Sequence, residues 1–411
     1  MHRSGAIPDG PGTLAPLDRP IVVHSHLRWD FVWQRPQQIL SRMAEHAPVL
    51  FIEEPIFLDD VPDPRLDITV PFANVFRAIP HLPGALRDDD DAATAIVRSL
   101  AQDAIACRLS GLFANPIHWF YSPATASAML GAFNEIAVVY DCMDELAQFR
   151  FANPDLPRRE RLLLANADVV FTGGRKLYEA KRRFHRNVHF FGCGVDVAHF
   201  GKACLEETEI PADIANLPKP IYGYFGVVDE RIDYELIEML AAHNPAASVV
   251  IVGPVVKVDP AGLPTGHNIH WLGKREYDVL PNYVKGFDVC LMPFALSEAT
   301  EFINPTKTLE YMAARKPIVS TAVADVVRNF TPIVRIAKSS TEFVRLATRA
   351  ARNPDLVLLA EGVRKAASAS WENIVASMQT LIAAAIDEAT PETREIAARP
   401  ARAGVGQLAV Q

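Results

Sequence analysis

The 411-residue sequence has no C-x-x-C pair, no long apolar run and no excess of positive charge, and each absence removes a class of function. Cys107, Cys142, Cys193, Cys204 and Cys290 are scattered and odd in number, which suggests neither a zinc site nor a disulfide framework. Reduced thiols in a cytoplasmic protein are the expectation. No stretch approaches the roughly 18 consecutive apolar residues that span a bilayer. The opening, Met1 to Pro20, lacks the apolar core of a secretory signal. A net charge of -8 leaves no basic surplus for a nucleic-acid partner. What remains is a globular composition, 49% apolar and 22% charged, long enough for two full cores.

Short β-branched or aromatic runs alternate with longer amphipathic stretches. The first series is Ile21 to His24, Val49 to Ile52, His118 to Tyr121, Val138 to Asp141, Val169 to Thr172 and Val188 to Phe191. The second is Ile221 to Phe225, Val249 to Val252, Ile269 to Leu272, Val289 to Met292, Ile318 to Thr321 and Val334 to Ile336. Such runs read as buried parallel strands, which predicts an α/β fold of two six-stranded Rossmann-like halves. The expected boundaries are a flexible start over 1–20, a first domain over 21–205, a linker over 206–220, a second domain with closing helices over 221–388, and a disordered tail over 389–411. Pro211, Pro218 and Pro220 mark the linker. The Asp88 to Asp91 run is expected to cap a helix, where negative charge suits the N-terminus. Open parallel sheets bind ligands at the carboxyl ends of their strands, so the loops there carry the search for chemistry.

One segment stands out, Phe302 to Ser320. Asn304 can cap a helix that Pro305 begins, leaving the amides of Thr306, Lys307 and Thr308 to face an anion beside the Lys307 ammonium. Lys307 and Glu310 share a face. By spacing alone this reads equally as an ordinary helix start with a solvated Lys/Glu pair.

The wording Pro305-Thr-Lys-Thr-Leu-Glu310-Tyr-Met-Ala, followed by Lys316-Pro-Ile-Val, resembles the donor segment of GT-B glycosyltransferases of family 4 and its relatives. Gly192 to Asp196 with Phe200, and Gly223 to Gly226 through Arg231, are similar to further segments of that family. Ser25 to Gln37 and Val139 to Glu145 are similar to a bacterial subgroup of the teichuronic-acid, cell-surface polysaccharide type. The resemblance covers about residues 20 to 388.

It implies a GT-B fold, two Rossmann-like domains facing across a cleft, and a transferase for a UDP- or GDP-linked sugar. It also implies that the helix start at Thr306, Lys307 and Thr308 meets the diphosphate, that Glu310 accepts from ribose hydroxyls, and that Gly226 and Arg231 belong to the donor loop. Two positions depart from the pattern. Phe302 stands where a glutamate is usual, and Val227 where an arginine is usual. Asp141-Cys-Met-Asp144 lacks the Asp-x-Asp spacing of metal-dependent transferases, so neither a metal nor a cofactor besides the sugar donor is expected.

On the acceptor side, His26, Arg28, Asp30 and Arg35 follow the first strand, and Asp144 and Glu145 follow the fourth. Asp144 is the expected base of an inverting reaction, with His26 as the other catalytic candidate. His26 and Asp30 read as well as loop hydrogen-bonding residues, and Trp29 and Trp33 as core. Tyr277, Leu280 and Pro281 stand where the family encloses the base. Arg175 to Arg186 reads as a solvated helix, with Leu177, Ala180 and Phe184 on its packed side. The sharper reading is docking on an anionic membrane, which would place the protein at the inner face of the plasma membrane beside a lipid-linked acceptor. A nucleotide-sugar epimerase and a non-catalytic assembly partner share the fold and stand as alternatives.

Overall fold

The computed structural model describes residues 17–60, 63–149, 152–296 and 306–388. Phe302, Asn304 and Pro305 lie outside the described residues, as do nearly all of the expected flexible start and the whole tail from 389 onward.

The first domain is built on nine strands: β1 (Ile21–Ser25), β2 (Val49–Glu53), β3 (Ile56–Leu58), β4 (Arg65–Phe72), β5 (Val75–Pro83), β6 (Ile117–Phe120), β7 (Ala137–Cys142), β8 (Val169–Thr172) and β9 (Val188–Phe190). They run in the order β3-β5-β2-β1-β6-β7-β8-β9, with β4 antiparallel to β5. All six predicted strands are present and pair in parallel. The β3–β5 region is an addition that the sequence reading lacks. The second sheet has the six predicted strands, β10 (Ile221–Phe225), β11 (Ser248–Val252), β12 (Ile269–Trp271), β13 (Val289–Met292), β14 (Ile318–Thr321) and β15 (Arg335–Ala337), in the order β12-β11-β10-β13-β14-β15. Central strands such as β1, β7, β10 and β11 are buried along their whole length, the state that continuous apolar runs require.

The strand order reverses between β1 and β6 in the first sheet and between β10 and β13 in the second. These switch points leave crevices at the carboxyl ends, and the loops that follow β1, β7, β8, β10, β11, β12 and β14 all line one cleft. Asp89 caps the Asp90–Asp103 helix through the Ala92 amide, as the acidic run predicts.

The chain crosses between the domains twice. Val195 and Ser370 form a parallel bridge, with Val195 N–H bonding the Ala369 carbonyl at 3.0 Å and Trp371 N–H bonding the Val195 carbonyl at 3.1 Å. Within the segment 206–220, where the sequence suggests a linker, Ile214 is buried in the core of the second domain, as are Phe200 and Ala203 just before it. The last helix, Trp371–Glu388, goes the other way. Its Trp371, Val375, Met378 and Ile382 complete the core of the first domain beside Ile21, Val23 and Phe171. Among the described residues no helix is long and apolar enough to cross a membrane.

Candidate functional site

The cleft has a volume of about 2030 Å³, well above the ~300–1,000 Å³ that holds one small ligand. Both domains wall it. The second-domain wall carries Gly226, Arg231, Thr306, Lys307 and Glu310, five of the residues expected to hold a donor. Thr308 is the exception. Its side chain is fully buried and its hydroxyl donates to Met292 Sδ at 3.4 Å, so the side chain anchors the short Lys307–Ala313 helix and only the backbone amide, the group expected to meet the diphosphate, is left for a ligand.

Gly226 has φ +139°, a conformation open to glycine. A Cβ there would lie 2.0 Å from Lys307 Cε and 2.6 Å from Nζ. The lysine therefore runs directly over bare backbone at the end of β10. Gly253, which the sequence reading passed over, allows this: at φ +152° its absent Cβ would meet the Gly226 carbonyl oxygen at 1.8 Å. Two glycines at adjacent strand ends thus clear a floor of backbone beneath one cation.

Lys307 makes no ion pair among the described residues. It lies over the Tyr224 ring at 5.6 Å. Burial pulls its ammonium below the usual lysine value, partly opposed by Glu310. Burial pushes the Glu310 carboxyl up to about 7, against the pull of Lys307. Each group would gain from a bound partner: the ammonium from an anion, the carboxylate from hydroxyl donors. Arg231 is more committed than the sequence suggests. Asp229 holds it through both carboxylate oxygens, at 2.6 Å for the shortest contact, so its charge is largely balanced before any ligand arrives. Lys257 and Lys274 add further cations to the lining.

The Glu310 shift has a signed consequence. A carboxyl raised in the fold stabilises the protein fully below its unfolded value, and that stability is lost as pH rises through about 7. Glu310→Gln is therefore expected to melt above the wild type at pH 8 and to show no such advantage at pH 5. A gain of equal size at both pH values would contradict the shift.

On the facing wall the residues divide. Asp144 is exposed in the cleft; desolvation there raises its carboxyl, and Arg231 partly opposes the rise. Glu145 also lines the cleft but pairs with Lys181 at 2.8 Å. Asp30 lines it and is paired with Arg77. Arg28 binds the buried Glu53 at 2.9 Å, and Glu53 also accepts from the Trp29 amide, which fixes the loop after β1.

Arg35, expected on the acceptor side, lines the cleft, but it is buried and its guanidinium is already engaged. It grips Asp141 at the end of β7 at 2.9 Å and donates to the carbonyls of Phe191 (2.9 Å) and Gly192 (3.4 Å), tying the first crossing segment to the first domain. His26 is not among the cleft-lining residues. Burial lowers its imidazole to about 4, so it is neutral at physiological pH, and among the described residues its Nδ1 has no hydrogen-bond partner. Trp33, expected in the core, is half-buried and lines the cleft, 5.9 Å from the Tyr277 ring. Tyr277 and Leu280 line the cleft as expected, while Pro281 is buried behind it. Among the described residues no three His, Cys, Asp or Glu side chains gather in a metal-ligand arrangement.

Residues 220–353 match the sequence profile described as glycosyl transferases group 1. Over 107 residues, 25% of this chain, the sequence is 28% identical to TuaH of Bacillus subtilis (strain 168), a protein assigned to teichuronic acid biosynthesis as a glycosyltransferase; the match spans 26% of that protein's length. Solved structures resemble nearly the whole molecule. A UDP-forming trehalose-phosphate synthase from Burkholderia xenovorans superposes with a TM-score of 0.62 at 14% identity, covering 90% of this chain and 99% of that one. Sucrose-phosphate synthase from Thermosynechococcus elongatus gives 0.61 at 17% identity, with 90% and 100% coverage. Anabaena HepE, solved with UDP and glucose, gives 0.62 at 14% identity, again with 90% and 100% coverage. At such identities the likeness establishes the fold: the chain has the GT-B fold, and its similarity to the glycosyl transferases group 1 profile lies in residues 220–353.

Proposed function

We propose that the chain is a metal-independent glycosyltransferase of hexosyltransferase type. It moves a sugar from a UDP- or GDP-linked donor to a carbohydrate or lipid-linked acceptor in cell-surface polysaccharide biosynthesis, in the cytoplasm. One observation carries the reading: Lys307 lies over the bare backbone of Gly226, beside Glu310, in a cleft whose other wall offers the carboxylate of Asp144. A diphosphate needs a desolvated cation and close backbone approach, and a ribose needs a hydrogen-bond acceptor.

In the reaction the acceptor oxygen forms a bond to the anomeric carbon as the bond from that carbon to the diphosphate oxygen breaks. The bonding pair leaves with the nucleoside diphosphate, which Lys307 stabilises, with Arg231 and the amides at the helix start in support. In an inverting course Asp144 takes the acceptor proton, and its raised affinity for protons suits a base. In a retaining course the leaving phosphate takes it. Release of nucleoside diphosphate that depends on an added acceptor is the expected result. Interconversion of the nucleotide sugar without release would instead support an epimerase, and failure to turn over or bind any donor would support an assembly partner.

Contact with an anionic membrane belongs to the same reading. The Arg175–Lys181 helix ends in a turn where Arg182, Arg183 and Arg186 are exposed around Phe184, which is 67% exposed rather than packed. Lys181 takes no part, being buried between Glu145 and Glu160. The protein is expected to sediment with vesicles rich in acidic phospholipid, and an Arg182→Glu, Arg183→Glu double variant to remain in the supernatant. Equal sedimentation of both would remove the membrane contact.

A further inference from the structure

At one corner of the cleft a second-domain loop is held by first-domain side chains. Tyr277 lies in the loop after β12 and lines both the main cleft and a second cavity of about 650 Å³, so its ring is a wall between them. On its own side, His199 stacks on it at 4.3 Å and 11° and bonds the Tyr277 carbonyl at 3.0 Å, with Phe200 edge-on at 5.8 Å. From the first domain, Trp33 lies 5.9 Å away and Gln38 Nε2 donates to Tyr277 Oη at 2.9 Å.

The Gln38 amide is not free to turn. Arg42 Nη1 donates to Gln38 Oε1 at 2.8 Å, which leaves Nε2 for the tyrosine. Arg42 in turn is fixed at both interdomain crossings: Asp196, just after the first, accepts from Nη2 at 3.1 Å, and Glu372, just after the second, accepts from Nε at 2.8 Å. Asp196 also caps the helix that carries His199. An unbroken chain of hydrogen bonds thus runs from the crossings through Arg42 and Gln38 to Tyr277. Burial and the nearby Glu310 carboxylate push the Tyr277 phenol up, so it stays a neutral hydroxyl beside the carboxylate assigned to the ribose.

We propose that Gln38, oriented by Arg42, is a positioning residue of the donor site: from the opposite domain it fixes Tyr277 and with it the loop that encloses the nucleotide base. The inference rests on the donor-site reading given above. It makes nucleotide affinity depend on how the two domains sit, because the hydrogen bond that fixes the Tyr277 hydroxyl comes from the opposite domain.

The test is calorimetric titration of UDP and of GDP into the full-length protein, with donor kinetics in parallel. Gln38→Ala and Tyr277→Phe are each expected to weaken binding of the preferred nucleotide by about three- to tenfold, the scale of one hydrogen bond between partly buried groups. The double variant should be no weaker than either single one, since both remove the same link. Gln38→Glu should bind within about twofold of wild type, because Arg42 can still donate to it and the tyrosine hydroxyl can donate in place of accepting. Donor KM should rise in Gln38→Ala while kcat holds. If the wild type binds nucleotide, Glu310→Ala does not, and Gln38→Ala matches wild type, the positioning role fails while the donor site stands. Additive losses in the double variant would also overturn it. A wild type that binds neither nucleotide would overturn the donor site and this inference together.

Discussion

Lys307→Met is expected to lower the rate of sugar transfer by about 10²–10³-fold, the usual loss when one preorganised charge contact to a leaving group is removed, while the protein becomes no less stable. The two effects have one cause. The half-buried lysine lies over Tyr224 and the Gly226 backbone with no ion pair among the described residues, and desolvation disfavours its charge. A lysine whose value is lowered in the fold weakens the folded state at every pH below that value, and the cost disappears once pH exceeds the ordinary lysine value of about 10.5. The melting temperature of Lys307→Met should therefore exceed that of wild type near pH 7, and the gap should narrow toward pH 10. Loss of stability without loss of rate would mean that the lysine is a structural residue.

Arg35→Met should behave in the opposite way. It leaves the Asp141 carboxylate fully buried without its counter-ion and releases the carbonyls of Phe191 and Gly192. Breaking one partner of a buried pair costs about 3–5 kcal/mol, so a large fall in melting temperature is expected. Replacing the partner too, as Arg35→Met with Asp141→Leu, should recover much of that loss, because the unpaired charge is gone. Chemical denaturation of the three variants measures it directly. An Arg35→Met protein that melts like wild type but needs far more acceptor would return Arg35 to the acceptor-binding role that its place in the sequence suggests.

The contrast between these two residues shows what a sequence can reveal. Lys307 and Glu310 are legible because helix spacing places them on one face and the flanking wording resembles a donor segment. The partners that define Arg35 are 106 and 156 residues away, and nothing local distinguishes a buried staple from a ligand contact. The same blindness applies to Tyr277, whose grip comes from another domain, whereas the Asp229 that tempers the charge of Arg231 is only two residues away from it. The central parallel strands were readable because both faces are buried and their residues are mostly apolar, with many β-branched and aromatic ones. β4 was not. It has one solvent-facing side, Pro64 just before it and Pro71 within it, and a burial pattern too irregular to produce alternation. Gly253 is a lone glycine after a strand, and only the Gly226 carbonyl oxygen, lying where a Cβ on Gly253 would have to sit, reveals why no side chain fits. At Thr308 the motif concerns the backbone amide alone, and the packing of its side chain against Met292 in the core is not legible from the wording.

The most direct test of the donor site is calorimetric titration of UDP, GDP and ADP into the wild-type protein, Lys307→Met and Glu310→Ala, with circular dichroism confirming that each is folded. The account predicts that one nucleoside diphosphate binds the wild type and that both substitutions sharply weaken it while the spectra stay unchanged. Binding of equal strength in all three proteins, or no binding to the wild type, would contradict it.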